Sequence, residues 1–251
     1  MKDKAWMTQV PFAHRGLHNN EGENVENSML AFKLAIEKGY GIEFDVHITA
    51  DKKLVVHHDD HLYRLCGDKR FIKNMALADI QGCKLLKTQQ TIPQFYEVLD
   101  LIAGKANLVI ELKGMGNPTA LCELVNQTLK SYKGNYCIES FNPKVISWYN
   151  LNAPEVIVGQ LASFSERKYP IIGRMLSNLF YDKRTQPDFI AYDINYLPNK
   201  YVDNALKRRP ATSVIAWTIK TPAQLEKAQK LCDNYIFEGK GEPKQPAKHN
   251  D

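Results

Sequence analysis

Eight short apolar or β-branched runs, separated by longer stretches with helical spacing, constrain this chain more than any other feature. The runs are Val10–Ala13, Gly41–Val46, Ala106–Leu112, Tyr136–Ser140, Val156–Gln160, Asp188–Tyr192, Ser213–Thr218 and Asn234–Phe237. Between them the spacing predicts helices over Ser28–Lys38, Pro93–Ile102, Thr119–Lys130, Pro143–Asn150, roughly Tyr169–Leu179, Lys200–Arg208 and Pro222–Lys230. Ser, Thr or Pro opens several of these stretches and Gly follows two of them, as helix start and stop signals do. So regular an alternation over 251 residues fits a closed parallel (β/α)8 TIM barrel better than an open sheet.

A single barrel domain over residues 1–251 is therefore expected, with a small insertion after the second strand. The irregular stretch of that insertion is roughly Tyr63–Leu86, the insertion as a whole spans about residues 63–92, and a short helix is expected near Leu77–Gln81. The tail Gly239–Asp251, with two prolines and several charges, reads as a frayed end. A hydrophobic fraction of 44% with 24% charged residues excludes a disordered or collagen-like chain. The net charge of +5 is spread along the sequence, which argues against nucleic acid as a partner. Five cysteines without metal-type spacing suggest neither a disulfide framework nor zinc, and a reducing compartment fits best. With no apolar run of signal-peptide or membrane-spanning length, a soluble cytoplasmic protein without stable membrane insertion is expected.

In such barrels the active site forms at the C-terminal ends of the strands, so polar residues there are the ones to weigh. The first strand ends in His14-Arg15-Gly16: a titratable base, a fixed cation and a residue that permits a sharp turn. In the second, the period of two places Glu43 and Asp45 on one face. Two crowded carboxylates repel unless a cation compensates, which suits a hard divalent metal; a solvated polar strand face is the plainer reading. The third strand ends in Glu111, with Lys113 two positions on and on the same face, so Lys113 either offers charge to a phosphoryl oxygen or pairs with Glu111. Three carboxylates from adjacent strand ends suit Mg²⁺ or Ca²⁺. Leu54-Val55-Val56 then runs into His57-His58-Asp59-Asp60-His61, where strand alternation allows only one of His57 and His58 to face the pocket. His47 shares the Glu43 and Asp45 face and is expected to make neutral hydrogen bonds above the carboxylates, while His18 reads as a loop residue.

Taken together the sequence resembles the glycerophosphodiester phosphodiesterase family. The resemblance rests on His14-Arg15-Gly16, Glu26-Asn27-Ser28, Glu43-Phe44-Asp45-Val46, His58-Asp59-Asp60 with Arg64, Glu111-Leu112-Lys113, Ser140-Phe141-Asn142 and Trp217-Thr218. It spans nearly the whole chain and is densest over residues 14–64. It implies metal ligation by Glu43, Asp45 and Glu111, catalysis by His14 and His58, and phosphate binding by Arg15 and Lys113. His58 is preferred to His57 because it directly precedes Asp59-Asp60, as the family's catalytic histidine does. Glu26 and Asn27 take supporting roles in substrate binding, Asn27 also being a common type of helix N-cap, and Trp217 lines the substrate side.

The implied activity is metal-dependent hydrolysis of glycerophosphodiesters, the deacylated phospholipids, to sn-glycerol 3-phosphate and an alcohol. The resemblance further implies that the glycerol hydroxyl attacks first and that water then opens the cyclic phosphate. The sequence departs from the family pattern at Val25, where proline is usual, at Ile219-Lys220, where valine and asparagine are usual, and at Glu238-Gly239, where Thr-Asp is common. Rival readings are a lysophospholipase D type hydrolase acting on lipid-bearing diesters, a non-catalytic phosphodiester-binding barrel, and a metal-assisted isomerase or aldolase on the same fold.

Overall fold

The computed structural model describes residues 2–114, 116–164 and 172–243. In chain order the strands are β1 (Phe12–His14), β2 (Gly41–Ile48), β3 (Leu54–Val56), β4 (Leu108–Leu112), β5 (Tyr136–Ser140), β6 (Ile157–Ala162), β7 (Phe189–Asp193), β8 (Ser213–Ile219) and β9 (Asn234–Phe237). Each of the eight expected strands is present, shifted at its ends by no more than a few residues. The sheet runs β1-β9-β8-β7-β6-β5-β4-β2 and closes through a β1–β2 pairing. All of these neighbours are parallel. The result is a closed (β/α)8 barrel. The ninth strand, β3, folds back antiparallel on β2 with Val46 opposite Val56, and this hairpin starts the insertion.

The helices are α1 (Met29–Glu37), α2 (Tyr63–Cys66), α3 (Leu77–Gln81), α4 (Phe95–Ile102), α5 (Thr119–Leu129), α6 (Pro143–Asn152), α7 (Ile172–Ser177), α8 (Asp182–Thr185), α9 (Lys200–Arg208) and α10 (Pro222–Leu231). Of the helix expected over roughly Tyr169–Leu179, residues 169–171 lie outside the described residues and the rest forms α7. Helix α4 begins two residues later than the sequence pattern suggests, because Gln94 and Glu97 form a capping box that sets the start after Pro93. Among the described residues no helix is long and apolar enough to cross a membrane.

Strand alternation divides the apolar residues between two cores. One lies between sheet and helices and includes Phe44, Phe95, Ile110 and Tyr149. The other fills the barrel interior with Phe12, Val109, Ile157, Phe189, Ile215 and Ile236, plugged from below by Trp6 and Met7. Gly159 has its place in that interior: a Cβ there would stand 2.1 Å from the Phe189 ring. The insertion carries a smaller cluster of its own, including Leu62, Leu65, Ile72 and Ile80, which packs on Val55 and Val25.

For residues 239–243 the expected frayed end needs correction. Gly239–Gly241 forms a short 3-10 turn with Gly241 buried. The Tyr40 hydroxyl donates to Glu242 Oε1 at 3.1 Å and lies 3.3 Å from the Pro243 carbonyl. Closing the barrel lays this segment against Tyr40 and the Ile219 end of β8, which supplies partners that a free tail lacks. Residues 244–251 lie outside the described residues.

Candidate active site

A cavity of about 300 Å³ opens at the C-terminal ends of the strands, and His14, Arg15, Glu43, His58, Glu111 and Lys113 line one side of it. Asp45, two residues beyond Glu43 on β2, is buried among them and 1% exposed. The register explains the convergence: Glu43 pairs with His14 across β1 and β2, and Asp45 pairs with Glu111 across β2 and β4. Glu43, Asp45 and Glu111 each bring a carboxylate oxygen within 4.8 Å of the others.

The turn after β1 is built to hold this group. Arg15 has a left-handed backbone with φ 56° and Asn27 one with φ 54°. The strain at Arg15 is held by two contacts: Arg15 N donates to Glu43 Oε2 at 3.1 Å and Asn27 N donates to the Arg15 carbonyl at 2.9 Å. Gly16 follows at φ 80°, where a Cβ would meet the Ala31 backbone at 2.8 Å. The Asn27 side chain does not cap α1. Ser28 does so, accepting from Ala31 N at 3.2 Å, which leaves the Asn27 amide to donate to Asp45 Oδ2 at 2.9 Å.

Charge is balanced by two half-buried cations, Lys113 and Arg15. Lys113 Nζ lies 3.0 Å from Glu111 Oε1 and 3.2 Å from Asp45 Oδ1, the latter a charge contact without hydrogen-bond alignment. Arg15 Nε is 3.6 Å from Asp45 Oδ2, and its Nη1 donates to Glu26 Oε1 at 2.7 Å. Burial pushes the Glu43 carboxyl well above its ordinary range, reinforced by Asp45, Glu139 and Glu111. Burial acts on Asp45 in the same direction, but Lys113, His58 and Arg15 outweigh it and hold that carboxyl well below its usual value. Hard oxygen donors crowded by like charge form the donor set that a Mg²⁺- or Ca²⁺-type cation relieves, so the residues fit such an ion.

Both candidate histidines rest on carboxylates. His14 Nδ1 lies 2.6 Å from Glu238 Oε2, and Lys220 Nζ lies 2.7 Å from Glu238 Oε1. Burial, and next Arg15, lowers the His14 pKa to about 4. His58 Nδ1 lies 2.7 Å from Asp59 Oδ1, whose other oxygen accepts from Arg64 Nε at 2.7 Å. Arg64 in turn forks onto Glu26 with two contacts of 2.7 Å, linking this group to Arg15. His57 is buried and absent from the cavity wall, its backbone N–H donating to the Asp45 carbonyl. His47 is also buried, with Nε2 3.3 Å from the His58 carbonyl. Burial lowers both of their pKa values to about 4.

The far wall is formed by Trp217, Phe141, Leu161 and Ile236, with Trp217 and Phe141 packed edge to face at 5.7 Å between centroids. Three acids in or beside this cavity, Glu139, Asp193 and Glu238, are not singled out by the sequence as its residues. Glu139 pairs in register with Glu111, lines the cavity and is 1% exposed, with Oε2 unpartnered. The signal was an acid inside the Tyr136–Ser140 run, at the period-two position that faces inward. Glu238 was visible only as a departure from a pattern, since nothing local joins it to His14, 224 residues away.

Comparison with known proteins finds relatives of one family and one fold. Residues 14–237 match the model of the glycerophosphoryl diester phosphodiesterase family. A glycerophosphodiester phosphodiesterase of Caldanaerobacter subterraneus subsp. tengcongensis is 35% identical over 167 residues, 62% of this chain and 67% of its own. A human lysophospholipase D is 29% identical over 147 residues, 56% of this chain and 44% of its own. The fold is shared with an Oleispira antarctica phosphodiesterase solved with the product sn-glycerol-3-phosphate, with TM-score 0.75, 21% identity and coverage of 92% of this chain and 93% of that one.

Proposed function

The chain belongs to the glycerophosphoryl diester phosphodiesterase family, and from that premise we propose that this phosphoric diester hydrolase cleaves glycerophosphodiesters to sn-glycerol 3-phosphate and an alcohol with the help of a divalent cation. The observation that carries the reading is one cavity lined by His14, His58, Arg15 and Lys113 around the Glu43, Asp45 and Glu111 carboxylates. A phosphodiester resists hydrolysis because its charge repels nucleophiles and its alkoxide leaves poorly.

Glu43, Asp45 and Glu111 are the residues to hold the cation, which when bound neutralises phosphoryl charge as a Lewis acid. Arg15 and Lys113 line the same cavity and orient the phosphoryl oxygens by charge. Of His14 and His58, one accepts the proton of the attacking hydroxyl and the other donates a proton to the departing oxygen. Glu26 and Asn27 support from behind, Glu26 through Arg15 and Asn27 through Asp45. Trp217 walls the substrate side.

The test is turnover of glycerophosphocholine and glycerophosphoethanolamine by purified protein, with sn-glycerol 3-phosphate measured as product. Chelation is expected to stop the reaction and Mg²⁺ or Ca²⁺ to restore it. Absence of diester turnover with either ion sinks the reading. The apolar wall of Phe141, Leu161 and Ile236 favours a second one, acceptance of lipid-bearing diesters as in a lysophospholipase D. Lysophosphatidylcholine assayed beside glycerophosphocholine separates the two.

A further inference from the structure

The two late departures from the family pattern, Lys220 and Glu238, form one ion pair, and that pair ends on His14. Strands β1 and β9 run parallel with Ala13 opposite Phe237, so His14 and Glu238 lie one position further along on neighbouring strands and both turn inward. The imidazole thereby stands between two carboxylates. Glu238 Oε2 is 2.6 Å from Nδ1, and Glu43 Oε2 is 3.8 Å from Nε2.

A neutral imidazole carries one N–H, and the hydrogen bond made by one nitrogen decides which of the two bears it. At 2.6 Å the Glu238 carboxylate accepts the hydrogen on Nδ1, which leaves the Nε2 lone pair for the reacting groups. Without Glu238, the nearest carboxylate would be Glu43, and the ring would turn its hydrogen toward an oxygen needed for the cation. Lys220 holds the other Glu238 oxygen at 2.7 Å, which limits rotation of the carboxylate. An ion pair in which the lysine side chain is 59% exposed contributes little to stability. Its consequence lies instead in where it aims the carboxylate.

We propose that Glu238, steered by Lys220, is a positioning residue that holds His14 as the Nδ1–H tautomer with Nε2 presented to the diester. This rests on the reading of His14 as an acid-base group given above. The experiment compares the full-length protein with Glu238→Gln, Glu238→Asp, Lys220→Met and the Glu238→Gln/Lys220→Met double variant. It measures kcat and KM on glycerophosphoethanolamine and the ring nitrogen shifts of His14 by ¹⁵N NMR.

Glu238→Gln nearly preserves shape but can donate to Nδ1. It is expected to lower kcat about 10- to 100-fold, the range seen when a metal-bound histidine loses its orienting partner, with KM changed less than about twofold. Its His14 signals are expected to move toward the Nε2–H form. Glu238→Asp keeps the charge and is expected to recover part of the kcat. Lys220→Met is expected to lower kcat a few-fold in the parent and to add nothing in the Glu238→Gln background, the signature of two residues acting through one contact.

An unchanged kcat or an unchanged tautomer in Glu238→Gln overturns the proposal, as does an independent effect of Lys220→Met in the double variant. If Glu238→Gln does not fold, full kcat in Lys220→Met overturns it equally, because that side chain is exposed. His14→Ala in the same assay separates the two levels: an active His14→Ala protein removes the histidine assignment itself. An inactive His14→Ala protein beside a normal Glu238→Gln protein removes only the positioning role.

Discussion

Glu26 is the most heavily bonded carboxylate behind the cavity, and replacing it with glutamine tests how much of the site's geometry rests on charge. It accepts from Arg15 Nη1 and from both Arg64 Nη1 and Nη2, each at 2.7 Å, while being 2% exposed. Burial by itself raises its pKa, but the Arg64 hydrogen bonds and the Arg15 charge outweigh this and hold it at about 2 against an ordinary 4.5. A carboxyl so depressed stabilises the folded state by about 3 kcal/mol at neutral pH. That contribution is fully present above the unfolded-state value of 4.5 and is lost as pH falls through the folded value of about 2. Glu26→Gln removes it and turns an amide N–H₂ toward two guanidinium groups. Urea unfolding followed by circular dichroism is expected to show a deficit of about 3 kcal/mol at pH 7 that shrinks by more than half toward pH 3. A deficit under about 1 kcal/mol, or one that does not change with pH, would refute the reasoning.

His14→Ala and His58→Ala are expected to lose about 10²- to 10⁴-fold in kcat, whereas His57→Ala keeps near-normal turnover because its ring lies outside the cavity wall; a fully active variant of either of the first two defeats the assignment. Glu111→Gln is expected to weaken metal activation, read as a higher Mg²⁺ or Ca²⁺ concentration for half-maximal rate, and an unchanged activation curve counts against ligation. Gly159→Ala drives a methyl group into the Phe189 ring and is expected to cost about 1–3 kcal/mol in thermal unfolding. An unchanged midpoint there would show that the barrel interior has slack.

The barrel was legible because its evidence is local. Each strand announces itself by a short apolar run, and a period of two then decides which residues of Gly41–Ile48 face inward, so Glu43 and Asp45 could be placed together from sequence. Polar residues ending apolar runs, such as His14 and Glu111, follow from the same local rule. Less legible were features set by contacts with distant segments. The Asn27 amide reads as a cap until Asp45 stands opposite it, and residues 239–243 read as frayed until Tyr40 and the Ile219 backbone stand beside them.

Local signals thus settle the strands, their inward faces and the polar residues at their ends, because strand periodicity and residue type need only neighbouring positions. Which side chains meet across the closed barrel is set in three dimensions alone: Glu238 against His14, Glu26 forked by Arg64, and Glu139 beside Glu111 with one oxygen unpartnered. Closure joins the first strand to the last, and electrostatic forces at 3 Å depend on that distance in space, about which separation along the chain is silent.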